Sequence, residues 1–154
     1  MAKAHPKFNR IAPWADRFNT PSTAQLQSGL PAPVASIFKQ ARRMLHDAGF
    51  THESPQWRGE CWKWTIEFSA GPRRELMAIL IPSPENLQFA LPVTAEFLQS
   101  LPMKRLKKSV REGLELAAEP FDTNLAVWFL TAGLVSDLED LLQRRVRQLT
   151  RKTG

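Results

Sequence analysis

A single cysteine, Cys61, stands in a chain of 154 residues. One thiol excludes an intrachain disulfide and fits a reducing compartment. Only three histidines are present, His5, His46 and His52, and they are scattered. A structural or catalytic metal site needs several such ligands at short spacing, so no metal is expected. The glycines at 29, 49, 59, 71, 113, 133 and 154 are too far apart for a GxGxxG or P-loop pattern. That sets aside ATP, NAD and flavin bound by the usual devices, and no cofactor is expected. Long hydrophobic runs are missing too. The longest, LAVWFLTAGLV at 125–135, is too short to span a bilayer. Met1–Arg17 carries charges and prolines but no apolar stretch of the signal-peptide kind. The expectation is a soluble, cytoplasmic protein without a membrane partner.

What is present suits one ordinary domain with a core that needs no staples. The hydrophobic fraction is 43% and the net charge is +6 at pH 7. A basic balance favours anionic partners such as nucleic acid.

Residues 1–33 hold five of the twelve prolines and read as an extended arm. Phe8, Ile11, Trp14 and Phe18 punctuate it, so it either packs on its own domain or docks on a partner. Helical periodicity starts at Val34 and runs through Ile37, Phe38, Ala41, Met44, Leu45 and Ala48. Gly49 is placed to end that helix in a left-handed cap, with Phe50 packing back on it. Three strand signals follow. Residues 60–68 alternate, with Trp62, Trp64, Ile66 and Phe68 on one face and Cys61, Lys63, Thr65 and Glu67 on the other. ELMAILI at 75–81 is apolar on both faces, as in a central strand, and NLQFALP at 86–92 alternates again. A short helix over Ala95–Leu101 and a longer one over Met103–Ala118 precede a fourth strand at 125–131. A last helix spans about 134–150, leaving a basic tail at 151–154. The order α-β-β-β-α-α-β-α indicates a single α+β domain over 34–150, an antiparallel sheet of about four strands with helices mainly on one face.

Few constellations carry chemistry. Cys61 is the one candidate nucleophile; Lys63 on the same strand face would lower its pKa, but no catalytic signature surrounds it, and a lone cysteine is usually structural. Trp57, Arg58 and Trp62 form an aromatic wall with a guanidinium where a planar or anionic ligand would sit. The bland alternative makes the tryptophans core. Two basic runs stand out. MKRLKKSVR at 103–111 and RRVRQLTRK at 144–152 each hold five basic residues and no acid. Lys104, Lys108 and Arg111, with Lys107 beside them, would line one helical face. Arg144 and Arg147 belong to the second run. Adjoining runs would follow a phosphate backbone; separate ones would be solvated faces, the second complementing a helix C-terminus.

The Trp57–Trp64 stretch, LMAILIPSPENLQFALP, VREGLELA, LAVWF and SDLEDLL, taken in order over about 34–150, resemble the small bacterial α+β domains of the YdhG/YjbR type. The resemblance implies the fold and no assigned activity. Some relatives look like frataxin and are linked to iron handling. The acidic ridge for that role is absent, since the matching helix is basic at 39–43.

Two function classes remain in front. One is a non-catalytic binding or interaction domain with a protein or small-molecule partner. The other is a nucleic-acid-binding protein that uses helices 103–118 and 134–152. An enzyme built on Cys61 is the third.

Overall fold

A computed structural model of the chain describes residues 12–71, 76–117 and 125–153, with side chains described up to Gln148 and not at Leu76. Five strands form one antiparallel sheet in sequential order: β1 (His52–Trp57), β2 (Trp64–Ala70), β3 (Leu76–Ile81), β4 (Gln88–Pro92) and β5 (Leu125–Phe129). The α+β class stands; the strand count among the described residues is five, not about four.

The additional strand is β1. HESPQW has one proline and little apolar alternation, which hides it from a periodicity reading. Proline is tolerated because β1 is an edge strand with a single neighbour among the described residues. Its register pairs Trp57 with Trp64 and His52 with Ser69.

The expected strand at 60–68 is divided. Residues Gly59–Trp62 make one helical turn, α3, inside the β1–β2 hairpin. Arg58 N–H donates to the Lys63 carbonyl (2.9 Å) and closes it. Gly59 supplies a φ of +86° and Lys63 takes one of +58°. This turn resets the alternation, so Trp62 and Trp64 lie on opposite faces. Trp64, Ile66 and Phe68 face the helices, while Trp62 packs against Ile79, Ile81 and Ala90 on the other side.

The N-terminal stretch differs from the extended arm expected. Pro13–Ala15 form a 3-10 turn and Thr23–Ser28 form helix α1. Ser22 and Gln25 build a reciprocal capping box: Gln25 N–H donates to Ser22 Oγ (3.1 Å) and Ser22 N–H to Gln25 Oε1 (2.8 Å). Leu26 and Leu30 are buried in the main core. The Trp64 indole N–H donates to the Asp16 carbonyl (2.6 Å). Residues 1–11, with Phe8 and Ile11, lie outside the described residues.

Helix α2 (Ala32–Asp47) buries Phe38, Ala41, Met44 and Leu45. Full burial of a side chain such as Phe38 or Leu45 contributes about 1.5–3 kcal/mol. Gly49 ends the helix at φ +103°, as its position predicts, and Phe50 N–H reaches back to the Leu45 carbonyl (2.8 Å). Helix α4 (Ala95–Ser100) is capped by Thr94 Oγ1, which accepts from Phe97 N–H (3.0 Å).

The helix expected over 103–118 is in two pieces. Met103–Arg105 are a 3-10 turn, and α5 runs Lys108–Ala117. Leu106 takes an extended conformation between them and packs against the core. Pro120 lies outside the described residues. Helix α6 (Ala132–Thr153) continues into the stretch expected as a tail. All the helices of eight residues or more, with α1 and α4, put their buried side chains into one core on one face of the sheet. No described helix is long and apolar enough to cross a membrane.

Candidate nucleic-acid interface

The seam between α6 and the segment 100–110 gathers both basic runs. Two adjoining grooves follow successive turns of α6. One, of about 140 Å³, is lined by Ser100, Leu101, Arg144, Arg147 and Gln148. The next, of about 250 Å³, has Arg105, Lys107 and Val110 on one wall and Ser136, Asp137 and Asp140 on the other. Both are smaller than the roughly 300–1,000 Å³ of a cleft that engulfs a small ligand.

The sequence explains the placement. Leu98, Leu101 and Leu106 point α4 and its exit into the core beside α6. Lys104, Arg105 and Lys107 are the polar residues between those apolar anchors, and all three are exposed. Lys108 opens α5 and is also exposed. The break at Leu106 means that Lys104, Lys108 and Arg111 do not share one continuous helical face.

Not every candidate cation is free. Arg111 Nε lies 3.5 Å from Glu115, and Arg144 Nε donates to Asp140 Oδ2 (2.8 Å). Arg145 is drawn inward, its guanidinium 5.4 Å from the Phe97 ring centroid. Burial lowers its pKa from the ordinary arginine value. Arg145 Nη1 donates to Gln148 Oε1 (2.8 Å). Lys104, Arg105, Lys107, Lys108 and Arg147 form no ion pair among the described residues, which leaves five unneutralised cations, of which Arg105, Lys107 and Arg147 line the grooves. Arg105 and Ser100 were not singled out by sequence. Arg105 lay inside the quoted basic run, whereas Ser100 carried no signal.

The other candidate ligand site is not assembled. Trp57 packs edge-on against Trp64 (5.8 Å between centroids) at the main core. Trp62 lies on the opposite sheet face. Arg58 is occupied: its Nη2 donates to Glu67 Oε2 (2.6 Å) and its Nε to Thr65 Oγ1 (3.1 Å). That ion pair fastens the hairpin turn to the back of β2.

Cys61 is exposed on α3, not on a strand face beside Lys63. Lys63 Nζ instead donates to the Glu60 carbonyl (3.0 Å). His46 is held by Glu53, which also accepts from Arg42 Nε (2.7 Å) and Thr23 Oγ1 (2.7 Å). Burial raises the Glu53 pKa, and the hydrogen bonds from Arg42, Thr23 and His46 outweigh it, leaving the carboxyl below its ordinary 4.5. With Arg42 in its coordination space, this carboxylate is a poor cation ligand. It is the joint of α1, α2 and β1. No group of three or more His, Cys, Asp or Glu is placed to hold a metal among the described residues.

A third, wider groove of about 400 Å³ runs between α2 and α6. Arg43 shares it with Asp47 and Glu139, so its lining is net acidic and it does not extend the basic seam. No family model, no curated protein and no solved structure matches the chain.

Proposed function

We propose that the protein is a non-catalytic binding domain whose partner is a nucleic acid, held by its phosphate backbone along the α6 seam. One observation carries the reading: two basic runs far apart in sequence line adjoining grooves on the same stretch of α6. From Ser136 to Gln148 that stretch is about 18 Å long at 1.5 Å per residue. It matches about five phosphates of one duplex strand, spaced at about 3.4 Å. Arg105, Lys107 and Arg147 supply contacts from the groove walls, with Lys104 and Lys108 beside them. No aromatic side chain lines either groove, so base stacking is not part of the device and sequence preference is low.

The test is anisotropy of a labelled 20-base duplex and the matching single strand, titrated with wild-type protein and with Lys107→Glu/Arg147→Glu. Lys39→Glu/Arg43→Glu, at exposed positions of α2, is the control of equal total charge change. Loss of at least tenfold in the seam variant, with a small change in the control, supports the seam. Equal losses in both would show a net-charge effect without a site.

A further inference from the structure

The two edges of the sheet are built differently. Edge β1 carries Pro55 together with His52, Glu53 and Gln56, the kind of residues that discourage strand addition. Edge β5 is Leu125-Ala126-Val127-Trp128-Phe129, with no charge and no proline. Its one neighbour among the described residues is β4. Phe129 is 63% exposed, and Leu116, on the helix packed against β5, is 71% exposed. They are two of the three large apolar side chains left in solvent among the described residues.

Hydrogen-bond parity tells which backbone groups face outward. Leu130 N–H donates to the Leu87 carbonyl (2.8 Å), and the β4–β5 register pairs Phe89 with Trp128 and Leu91 with Ala126. In an antiparallel ladder every second residue bonds to a given neighbour. Ala126 and Trp128 therefore bond toward β4. Leu125, Val127 and Phe129 turn their N–H and C=O groups to the open edge.

We propose that β5 pairs with β5 of a second copy about a two-fold axis at Val127, joining two sheets into one of ten strands. That axis places Val127 opposite Val127 of the other copy and Leu125 opposite Phe129. These are the three residues whose backbone groups face outward, so one symmetric register satisfies them all. The same register lays Leu125 of one copy against the exposed ring of Phe129 of the other. Aromatic–aliphatic cross-strand pairs of this kind are favourable. The strand is neutral, so its own copy meets no like charge, and the isologous contact closes at two. Five residues a side, with Phe129 the one exposed side chain of the strand, make a contact smaller than the roughly 1,200–2,000 Å² of a stable interface. The dimer therefore dissociates in the micromolar range.

Sedimentation velocity of the full chain over about 1–200 µM tests this, since that range brackets micromolar dissociation. The expected result is a reversible monomer–dimer series. Phe129→Lys, and separately Val127→Lys, which sets two lysines face to face, shift the series to monomer. Circular dichroism checks that each variant stays folded, and exposed Phe129 provides the variant least able to disturb the monomer. A wild-type chain that is monomeric at every concentration overturns the proposal. So does a dimer that persists in folded Phe129→Lys.

Discussion

The indole of Trp128 lies flat against the backbone of Gly113. Its N–H donates to the Val110 carbonyl (3.2 Å), and a methyl group built on Gly113 would meet the indole nitrogen at 2.3 Å. Trp128 is buried and stacked on Phe89 (5.9 Å between centroids), so it has no room to withdraw. Gly113 is thus the position at which α5 is allowed to touch β5, and α5 carries Lys108 and Arg111.

Gly113→Ala is accordingly destabilising despite being a better helix former. Overpacking costs about 1–3 kcal/mol, and alanine returns up to about 1 kcal/mol of helix propensity. The expected net loss is about 1–2 kcal/mol, read as a fall in Tm of about 3–6 °C for a chain of this size.

Lys63→Gly has the opposite sign. Lys63 holds φ +58° and ψ −138°, a conformation that glycine adopts freely and other residues reach at a cost of about 1–3 kcal/mol. Glycine brings an unfolded-state entropy penalty of about 0.5–1 kcal/mol. Chemical denaturation is expected to show a net gain of about 1 kcal/mol.

Glu53→Gln separates the charge of the α1–α2–β1 joint from its shape. Hydrogen bonds to a charged group are worth about 1.5–3 kcal/mol, so a loss of about 2 kcal/mol at pH 7 is expected. The sign of the pH dependence follows from the lowered Glu53 pKa. Its contribution is complete above 4.5, the ordinary value, and is lost as pH falls through the lower folded value. Denaturation curves of wild type and variant should converge in that acid window and stay parallel above it.

Trp64→Phe and Trp62→Phe distinguish two tryptophans that sequence alternation placed together. Trp64→Phe removes the donor to the Asp16 carbonyl and loosens the N-terminal stretch. Amide exchange at residues 12–30 is expected to rise in that variant alone. Trp62→Phe changes packing on the opposite sheet face and leaves those amides protected.

Most helices and four strands were legible because their apolar period matched the faces they bury, one face for most and both for β3. Phe38, Leu45 and Gly49 marked α2 and its end; Leu80 and Ile79 marked a strand covered on both sides. β1 was not legible, because an edge strand with Pro55 needs no alternation. The 60–68 misreading has a related cause. A four-residue turn between two strands shifts the parity without leaving any apolar gap. The basic seam was half legible: the runs were visible, but their meeting depends on Leu101 and Leu106 both turning into the core beside α6. The Arg144–Asp140 and Arg58–Glu67 pairs depend on side-chain reach and carried no pattern of their own.

The measurement that bears most directly on the seam is the salt dependence of nucleic-acid binding. Five contacts from Lys104, Arg105, Lys107, Lys108 and Arg147 predict a slope of log K against log salt of about −4.5 for duplex DNA and about −3.5 for a single strand. Between 50 and 200 mM salt, affinity should then fall roughly five-hundredfold for the duplex and roughly a hundredfold for the single strand. Lys107→Glu/Arg147→Glu should flatten the slope by about 2. A slope near zero, or one that the double variant leaves unchanged, would contradict the seam as the binding surface.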